Sequence, residues 1–515
     1  MARLPTVGGD ADNWGAVLNE YLETAHNADG TLKLDVKTLA DLKAIDVTTL
    51  TDKQQALVAG YSAPGDGGGG QFYYDAAATD ADNGGTTLQL GSGAGRWKRI
   101  YSGPLSVKCF GARGDGVAND TAAFASAIAA VDDISIPSGT YLVDSITINR
   151  NVTMRGTGRK TAKIVVQSYT TYQTIKCGVL CRGAANSPSL ADLTQISGID
   201  IEVTSNEAEL VGVLVTRKLN LCDSYIHGAP GDGVYFRSVN ASNEAPYFCQ
   251  FDSVWMKNNG GNGCTITENC NAIQFMNCQW SSNAGHGLHQ ISTGNGQPPA
   301  VYNTILIGGQ AAYNQLHGIY IESGSNTQVY GTYAEYNSGL DGGNPKTGAY
   351  KNVQLGTNVT RSHVVLGEQG TDTDLSSCVG LNTVTGNNVS VGGSTLTAYS
   401  SIALGYQGVG TGRTLTFNGG GACEHHLGFK EGSADIFRVR YNGAPASPQN
   451  ELLFESYLSP SWTEIIKMTN NGRLSFFGGA TQTKQSVTGS RGGNAALSSL
   501  IAALANLGLI SDNTT

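Results

Sequence analysis

The chain has 515 residues, of which 69 are glycine and only 14% are charged. That length calls for more than one structural unit, and that composition favours turn-rich β structure over long charged helices. The net charge of -9 excludes a surface that tracks nucleic-acid phosphates, and no stretch approaches the roughly 20 apolar residues of a bilayer span.

Met1 to Pro5 lacks the apolar region of a secretory signal, so the chain is expected to fold in the cytosol. Pro5 to Asp10 leads into a predicted helix over 13–26, where Trp14, Val17, Leu18, Tyr21 and Leu22 recur at helical spacing. A second helical stretch runs from Leu39 to Ile45. The breaker cluster Pro64 to Gly70 then precedes the strand-like Gln71-Phe72-Tyr73-Tyr74. This glycine run is no phosphate loop, because no Gly-Lys-Ser/Thr ending follows it. Ten cysteines, from Cys109 to Cys423, fit neither a disulfide framework nor a paired zinc spacing. Buried free thiols are expected instead.

From Val107 the texture changes. Asn119-Asp120-Thr121 opens an Ala-rich helix with Phe124, Ile128 and Val131, which Asp120 or Asn119 is placed to cap. Short strands divided by single turns follow, including Ile134 to Val143, Ile146-Thr147-Ile148 and Val152 to Gly156. A helix followed only by short strands suits a solenoid whose open apolar end the helix plugs. Repeats support this. Gly-initiated strands at Gly233, Gly263, Gly287 and Gly318 recur at steps of 30, 24 and 31 residues. Asn259, Asn283 and Asn314 precede the last three by four residues, and Asn337 is next in phase.

Aligned on the asparagines, Phe251, Phe275, Leu306 and Val329 form one inward column, and Cys264, Leu288 and Ile319 another. Three outward columns emerge: Tyr235, Thr265, His289 and Tyr320; Trp255, Gln279, Gln310 and Tyr333; Lys257, Ser281, Ala312 and Glu335. Aromatic rings, amides and carboxylates at coil spacing suit a polysaccharide. Beyond Gly356 the phase is lost, and Ile436 to Tyr441, Leu452-Leu453-Phe454 and Ile465 to Met468 read as strands of a separate antiparallel unit. Near the end, Leu497, Leu500, Ile501, Leu504 and Leu507 form an apolar seam on a helix of about fifteen residues. Such a seam needs a partner surface, and self-association about a three-fold axis or docking on its own chain would both bury it.

The run Val107 to Gly116, the Asn119 to Phe124 helix start and the Ile136-Pro137-Ser138-Gly139-Thr140-Tyr141 strand resemble the beginning of pectate-lyase-like right-handed β-helix proteins. Gly65 to Gly70, Asn83-Gly84-Gly85 and Gly95 to Tyr101 resemble the segment before it in bacteriophage tailspike and tail-fibre proteins. Cys109 and Asn119 stand where an Asp is common, and no catalytic motif of the family matches in the body. The resemblance implies a mainly β, homotrimeric spike: an N-terminal virion-attachment region over 1–103, a right-handed parallel β-helix with a capping helix over 104–356, a C-terminal β-rich domain over 357–485, and an oligomerisation helix over 486–515. It implies location in the virion tail, synthesis in the host cytoplasm and action at the bacterial surface. The partners implied are a bacterial surface polysaccharide and a tail or baseplate protein held through the N-terminus, without nucleic acid, membrane insertion or cofactor.

Glycoside cleavage needs two carboxylates about 5 to 5.5 Å apart for retention or 6.5 to 9.5 Å for inversion. Glu322, Glu335, Asp232 and Asp252 are the candidate catalytic acids, Glu322 sharing a column with Arg237 and Glu335 one with Lys257. A lyase would need a base and a cation, roles open to His289, Lys257 and Arg237. Tyr235, Trp255, His289, Tyr320 and Tyr333 are the candidate substrate-binding residues, the aromatic ones by stacking on apolar sugar faces. His286 and His317 occupy the place of Asp232 and Asn262 before a repeat glycine, where turn hydrogen bonding is the expected role. No metal site is expected: His425 and His426 are strand neighbours, and Asp10, Asp12 and Asp66 lack a calcium-loop spacing. The Arg113-Gly114-Asp115 tripeptide is expected to be a turn. The expected function is that of a depolymerase tailspike, hydrolase or lyase, with a non-cleaving receptor-binding fibre or a fibre of a contractile injection apparatus as alternatives.

Overall fold

A computed structural model describes residues 6, 9–25, 35–91, 94–183, 193–239, 245–267, 269–291, 301–337, 340–341, 344–345, 352–366, 373–374, 383–385, 389–390, 424–431, 434–442, 451–458, 461–469, 473–476, 485–506 and 509–515. The chain divides into two units, Met1–Ser401 and Ile402–Thr515. No helix among the described residues is long and apolar enough to cross a membrane.

The first helix is Trp14–Ala25. After it, five strands pair in the order Asp35–Thr38, Gln55–Gly60, Gly70–Asp75, Arg96–Ile100, Thr87–Gln89. The alternation of Gln55–Gly60 and Gly70–Asp75 sends Ala56, Val58, Phe72 and Tyr74 inward onto Leu39, Leu42, Leu88 and Trp97. Two ionic hubs shape the glycine run. The buried Arg99 guanidinium donates to the carbonyls of Gly85 (2.9 Å), Gly69 (2.6 Å) and Gly68 (2.9 Å) and lies 4.5 Å over the Phe72 ring. A Cβ on Gly70, whose φ is +148°, would stand 2.6 Å from that guanidinium. The glycines let backbone carbonyls close around the guanidinium.

Asp66 is the second hub, accepting the backbone N–H groups of Tyr61, Ser62, Ala63 and Gly68 at 2.7 to 3.0 Å. Partial burial opposes its ionisation, yet these donors, Gly68 foremost, hold its carboxyl below the usual range. Its contribution to stability is therefore complete above the ordinary carboxylate pKa and is lost as pH falls through the depressed folded value. Asp66→Asn is expected to lower the unfolding midpoint of this module in the full chain at pH 7 by about 4–8 °C, the effect of about 1 kcal/mol on a domain of this size. The gap should shrink towards pH 3. Calorimetry showing equal midpoints at pH 7 would remove the hub from the account.

From Leu105 the chain winds into coils of three short strands. Gln274–Met276, Gln279–Ser281 and Leu288–Gln290 form one coil, and they pair in parallel with Ile305–Ile307, Gln310–Ala312 and Ile319–Ser325 of the next. Stacked first, second and third strands make three sheets of a right-handed parallel β-helix, the hand that such crossovers almost always take. All the predicted columns are in register. Thr265, Ser281 and Ala312 are nevertheless buried in the outward columns. Inside, a single apolar cluster runs from Leu105 to Val364, with the Phe236, Phe251, Phe275 and Trp280 rings 5.1 to 5.5 Å from their neighbours.

The repeated Asn and Gly are one device. Each asparagine donates its side-chain amide to the next, Asn259 to Asn283 (3.0 Å), Asn283 to Asn314 (2.9 Å), Asn314 to Asn337 (2.8 Å) and Asn337 to Asn352 (2.8 Å). A Cβ on Gly233, Gly263, Gly287 or Gly318 would come within 2.5 to 2.8 Å of these amides. Corners are made by left-handed residues, Ser253, Asn277 and Gly308 after the first strand and Asn258, Ser282, Tyr313 and Tyr336 after the second, with φ of 47° to 62°.

Helix Thr121–Ala130 sends Ala123, Phe124, Ala127 and Ile128 into the same core, Phe124 meeting Tyr141 edge-on at 5.6 Å. Asp120 does not cap this helix. Its buried carboxylate turns back to accept the N–H groups of Arg113 (2.7 Å) and Gly114 (3.0 Å), while Asn119 accepts from Thr121 (2.9 Å). The Arg113-Gly114-Asp115 tripeptide is thus tied down as a turn, with Asp115 accepting from Val117 and Ala118. The expected boundary at 356 falls inside the strand Val353–Thr360, and parallel pairing goes on to Val389–Ser390. The asparagine phase fails there while the backbone ladder, which needs no particular side chain, continues.

Eight of the ten cysteines lie among the described residues, all as free thiols, and only Cys222 is exposed. Burial pushes Cys177, Cys181, Cys249 and Cys278 up to about 12. Of these eight, native alkylation at neutral pH is expected to label Cys222 alone, because the thiolate is the nucleophile. Peptide mass spectrometry that finds Cys264 or Cys278 equally labelled would show an opened core.

In the second unit, Glu424–Glu431, Ala434–Asn442, Glu451–Leu458, Ser461–Thr469 and Leu474–Phe476 form an antiparallel meander. The buried Glu455 takes hydrogen bonds from Arg438 (2.5 Å) and Arg440 (3.0 Å). His425 and His426 lie in the strand Glu424–Glu431. The terminal helix is Ala495–Asn506, shorter than expected, because the chain leaves it to run as Ile510–Thr514 parallel to Gln485–Gly489. Ile501 is buried, while Leu497 and Leu500 stay exposed; Leu507 lies outside the described residues.

Candidate functional site

On the outer side of the third sheet, Tyr235, His289 and Tyr320 point outward because their strand neighbours Val234, Phe236, Leu288, Ile319 and Ile321 are buried. The His289 ring stacks on Tyr320 at 4.9 Å and 4°, and its Nε2 lies 2.9 Å from a Glu322 carboxylate oxygen. Glu322 therefore meets an imidazole, and its expected column mate Arg237 is three coils away. In the adjoining turn, side-chain acceptors hold the next coil's backbone: Asp232 takes the Asn262 N–H (2.6 Å), Asn262 the His286 N–H (2.7 Å) and His286 Nδ1 the His317 N–H (3.0 Å). Burial, reinforced by His289 and His317, pushes His286 down to about 3, so its ring is neutral and free to accept. This is the turn role read from its position before a repeat glycine.

Asp232 also accepts the Thr265 hydroxyl (2.5 Å), and burial raises its carboxyl above the usual range despite that bond and the nearby His289. With Lys176, Glu209, Tyr235 and Arg237 it lines a cavity of about 430 Å³. Asp232 and Glu322 share this flank, but three coil steps of about 4.8 Å put them about 14 Å apart along the axis. That exceeds the separation of a glycosidase pair.

The second sheet carries a closer constellation. Asp200 and Glu202 project from one strand, Asp200–Val203, between the core residues Ile201 and Val203. A rise of about 3.3 Å per residue sets their backbones about 6.6 Å apart on one face of the strand, and their carboxyls turn to opposite neighbouring coils. His227 on the next coil reaches Asp200 with Nε2 at 2.9 Å, and Lys163 on the previous coil reaches Glu202 at 2.6 Å. Tyr225 stacks on His227 at 4.2 Å and meets Trp255 edge-on at 5.8 Å. Trp255 is outward, as expected, but it is not a bare platform: the Arg159 guanidinium lies 4.2 Å from its ring centroid and the Lys257 ammonium 4.4 Å.

Further along the same sheet, Glu335 accepts the Tyr333 hydroxyl at 2.5 Å, and that bond foremost pushes the phenol up to about 12. Lys257, its column mate, is three coils distant. Tyr313 and Tyr336, stacked at 5.4 Å and exposed at the adjacent corner, extend the aromatic strip. Asp252 sits apart on the first sheet, bonded to the Ser253 hydroxyl at 2.9 Å. The four expected acids thus occupy three sheets. Asp200, Glu202, His227, Arg159 and Tyr313 were not read from the sequence. The alternation Ile199-Asp200-Ile201-Glu202-Val203 is a legible signal for the first two, but it lies upstream of the repeat glycines on which the columns were aligned.

Two family matches decide what this scaffold is. Residues 35–102 match the phage tail protein small four-stranded beta-sheet domain, and residues 105–206 match rhamnogalacturonase A/epimerase, pectate lyase-like. The chain joins a phage tail module to a pectate-lyase-like β-helix. The chain is similar in fold to the enzymatically active domain of tailspike protein 2 of bacteriophage CBA120, at 13% identity and a TM-score of 0.50, over 90% of this chain and 86% of that one. It also resembles ORF18 of Geobacillus virus E2, at 15% identity and a TM-score of 0.47, covering 88% and 92%. A third is tailspike gp49 of Acinetobacter baumannii bacteriophage Fri1, described as a capsular polysaccharide depolymerase, at 14% and 0.44, covering 85% and 92%. No curated protein matches by sequence.

Proposed function

We propose that this phage tail chain is a homotrimeric tailspike of the virion that binds a bacterial surface polysaccharide along its coils and cleaves it. The N-terminal region, through the phage tail module, attaches it to a tail or baseplate protein. The observation that carries cleavage is the Asp200 and Glu202 pair, two carboxylates on one strand with backbones about 6.6 Å apart, flanked by His227, Tyr225 and Lys163. In hydrolysis one carboxyl protonates the leaving oxygen while the other, ionised, activates water or attacks the anomeric carbon. Tyr235, His289, Tyr320 and Tyr333 contribute stacking faces along the glycan path. A non-cleaving receptor-binding fibre is the second reading, favoured because each carboxylate discussed already has a partner: Asp200 His227, Glu202 Lys163, Glu322 His289 and Glu335 Tyr333. The full chain incubated with purified host capsule separates these. New reducing ends without unsaturated ends support hydrolysis, new reducing ends with unsaturated uronate ends a lyase, and saturable binding with unchanged chain length the fibre.

A further inference from the structure

Around Trp255 three cations converge. Arg159 is 4.2 Å from the ring centroid, Lys257 4.4 Å and Lys160 5.9 Å. Arg159 is held in place by Asp223 at 2.9 Å and by the Ser253 carbonyl at 3.0 Å. Lys160 and Lys257 make no ion pair with any carboxylate among the described residues. Lys257 is moreover half-buried on a strand between coils, where burial, then Arg159 and Lys160, depress its ammonium. Desolvating an unpaired cation beside two others is unfavourable, and the cost persists in a folded protein where an external anion offsets it. The whole chain is acidic, at -9, so this cluster is a local inversion of its field.

We propose that Arg159, Lys160 and Lys257, on the Trp255 floor, form a subsite for a carboxylate-bearing sugar of the bound glycan. The guanidinium and ammonium groups donate charge-assisted hydrogen bonds to the carboxylate, and Trp255 backs the cations. The subsite lies one coil beyond His227 and two beyond the Asp200 and Glu202 pair, so the acidic sugar is held beside the bond to be cut. The assignment rests on the polysaccharide reading above and narrows it to acidic glycans.

The test uses the full chain and capsule purified from a strain to which it adheres, as isolated, after reduction of its carboxyls to alcohols, and after removal of phosphate. Affinity is expected to fall about tenfold or more on carboxyl reduction and to survive phosphate removal. Lys160→Met and Lys257→Met should each weaken binding of the untreated capsule by about tenfold or more, the scale of a charge-assisted hydrogen bond. Lys257→Met should also unfold no earlier than the parent, since it removes an unpaired cation while keeping the aliphatic stem. Unchanged affinity after carboxyl reduction, or in both variants, overturns the subsite while leaving the polysaccharide reading intact; loss only on phosphate removal overturns the carboxylate assignment. A parent chain that binds no capsule at all overturns the polysaccharide reading, and the subsite with it.

Discussion

Asp200→Asn and Glu202→Gln are each expected to reduce cleavage of host polysaccharide by roughly 10²–10⁴-fold, the range for loss of a positioned acid or base. Both substitutions preserve shape and one acceptor oxygen, so His227 and Lys163 keep a neutral partner and the strand keeps its core residues Ile201 and Val203. Binding should persist in both. Glu322→Gln and Glu335→Gln serve as the comparison, because those acids lie on other coils, one bonded to His289 and the other to Tyr333. Reducing-end assays that find Asp200→Asn fully active, or Glu322→Gln inactive, would move the chemistry to the third sheet. A second carboxylate would then have to come from outside the coils that carry Asp232 and Glu322, since those two are too far apart to share a glycosidic bond.

Asn314→Ala should destabilise the β-helix by roughly 3–5 kcal/mol, as breaking a buried network does. The fully buried Asn314 donates to the Trp280 carbonyl (3.0 Å) and to Asn337 (2.8 Å), and accepts from both the backbone (3.2 Å) and side-chain (2.9 Å) amides of Asn283. Truncation leaves all four groups in a space that glycines have cleared and that no longer side chain fills. Gln310→Ala, on an outward position of the same coil, should stay within about 0.5 kcal/mol. Since large multidomain proteins commonly unfold irreversibly, the comparison is best made as the rate of loss of native signal at a fixed elevated temperature. Equal rates for the two variants would mean that the ladder is an alignment device without energetic weight.

Register was the most legible property. Gly233, Gly263, Gly287 and Gly318, with Asn259, Asn283, Asn314 and Asn337, fixed the coils because the same close contact between a side-chain amide and a glycine recurs at each turn. Which residues share a column follows directly, since parallel pairing leaves no freedom once one residue per coil is aligned. The antiparallel meander from residue 424 was visible for the simpler reason that its strands are long and separated by glycine- or proline-containing turns.

Partners across coils were not legible. Arg159 reaches Trp255 from a loop 96 positions earlier in sequence, and His227 finds Asp200 from the coil beyond it. Such pairs depend on loop paths and rotamers, which repeat spacing does not encode. Tyr313 and Tyr336 take left-handed corners that no side-chain preference predicts. The coils, their phase and the membership of each column were readable from the residues, because these need only periodic contacts between neighbours one turn apart. Which stripes hold facing charges, which column members are buried, and that Trp255 sits among three cations became visible only in the folded chain, because those depend on how unlike loops fold back over a regular core.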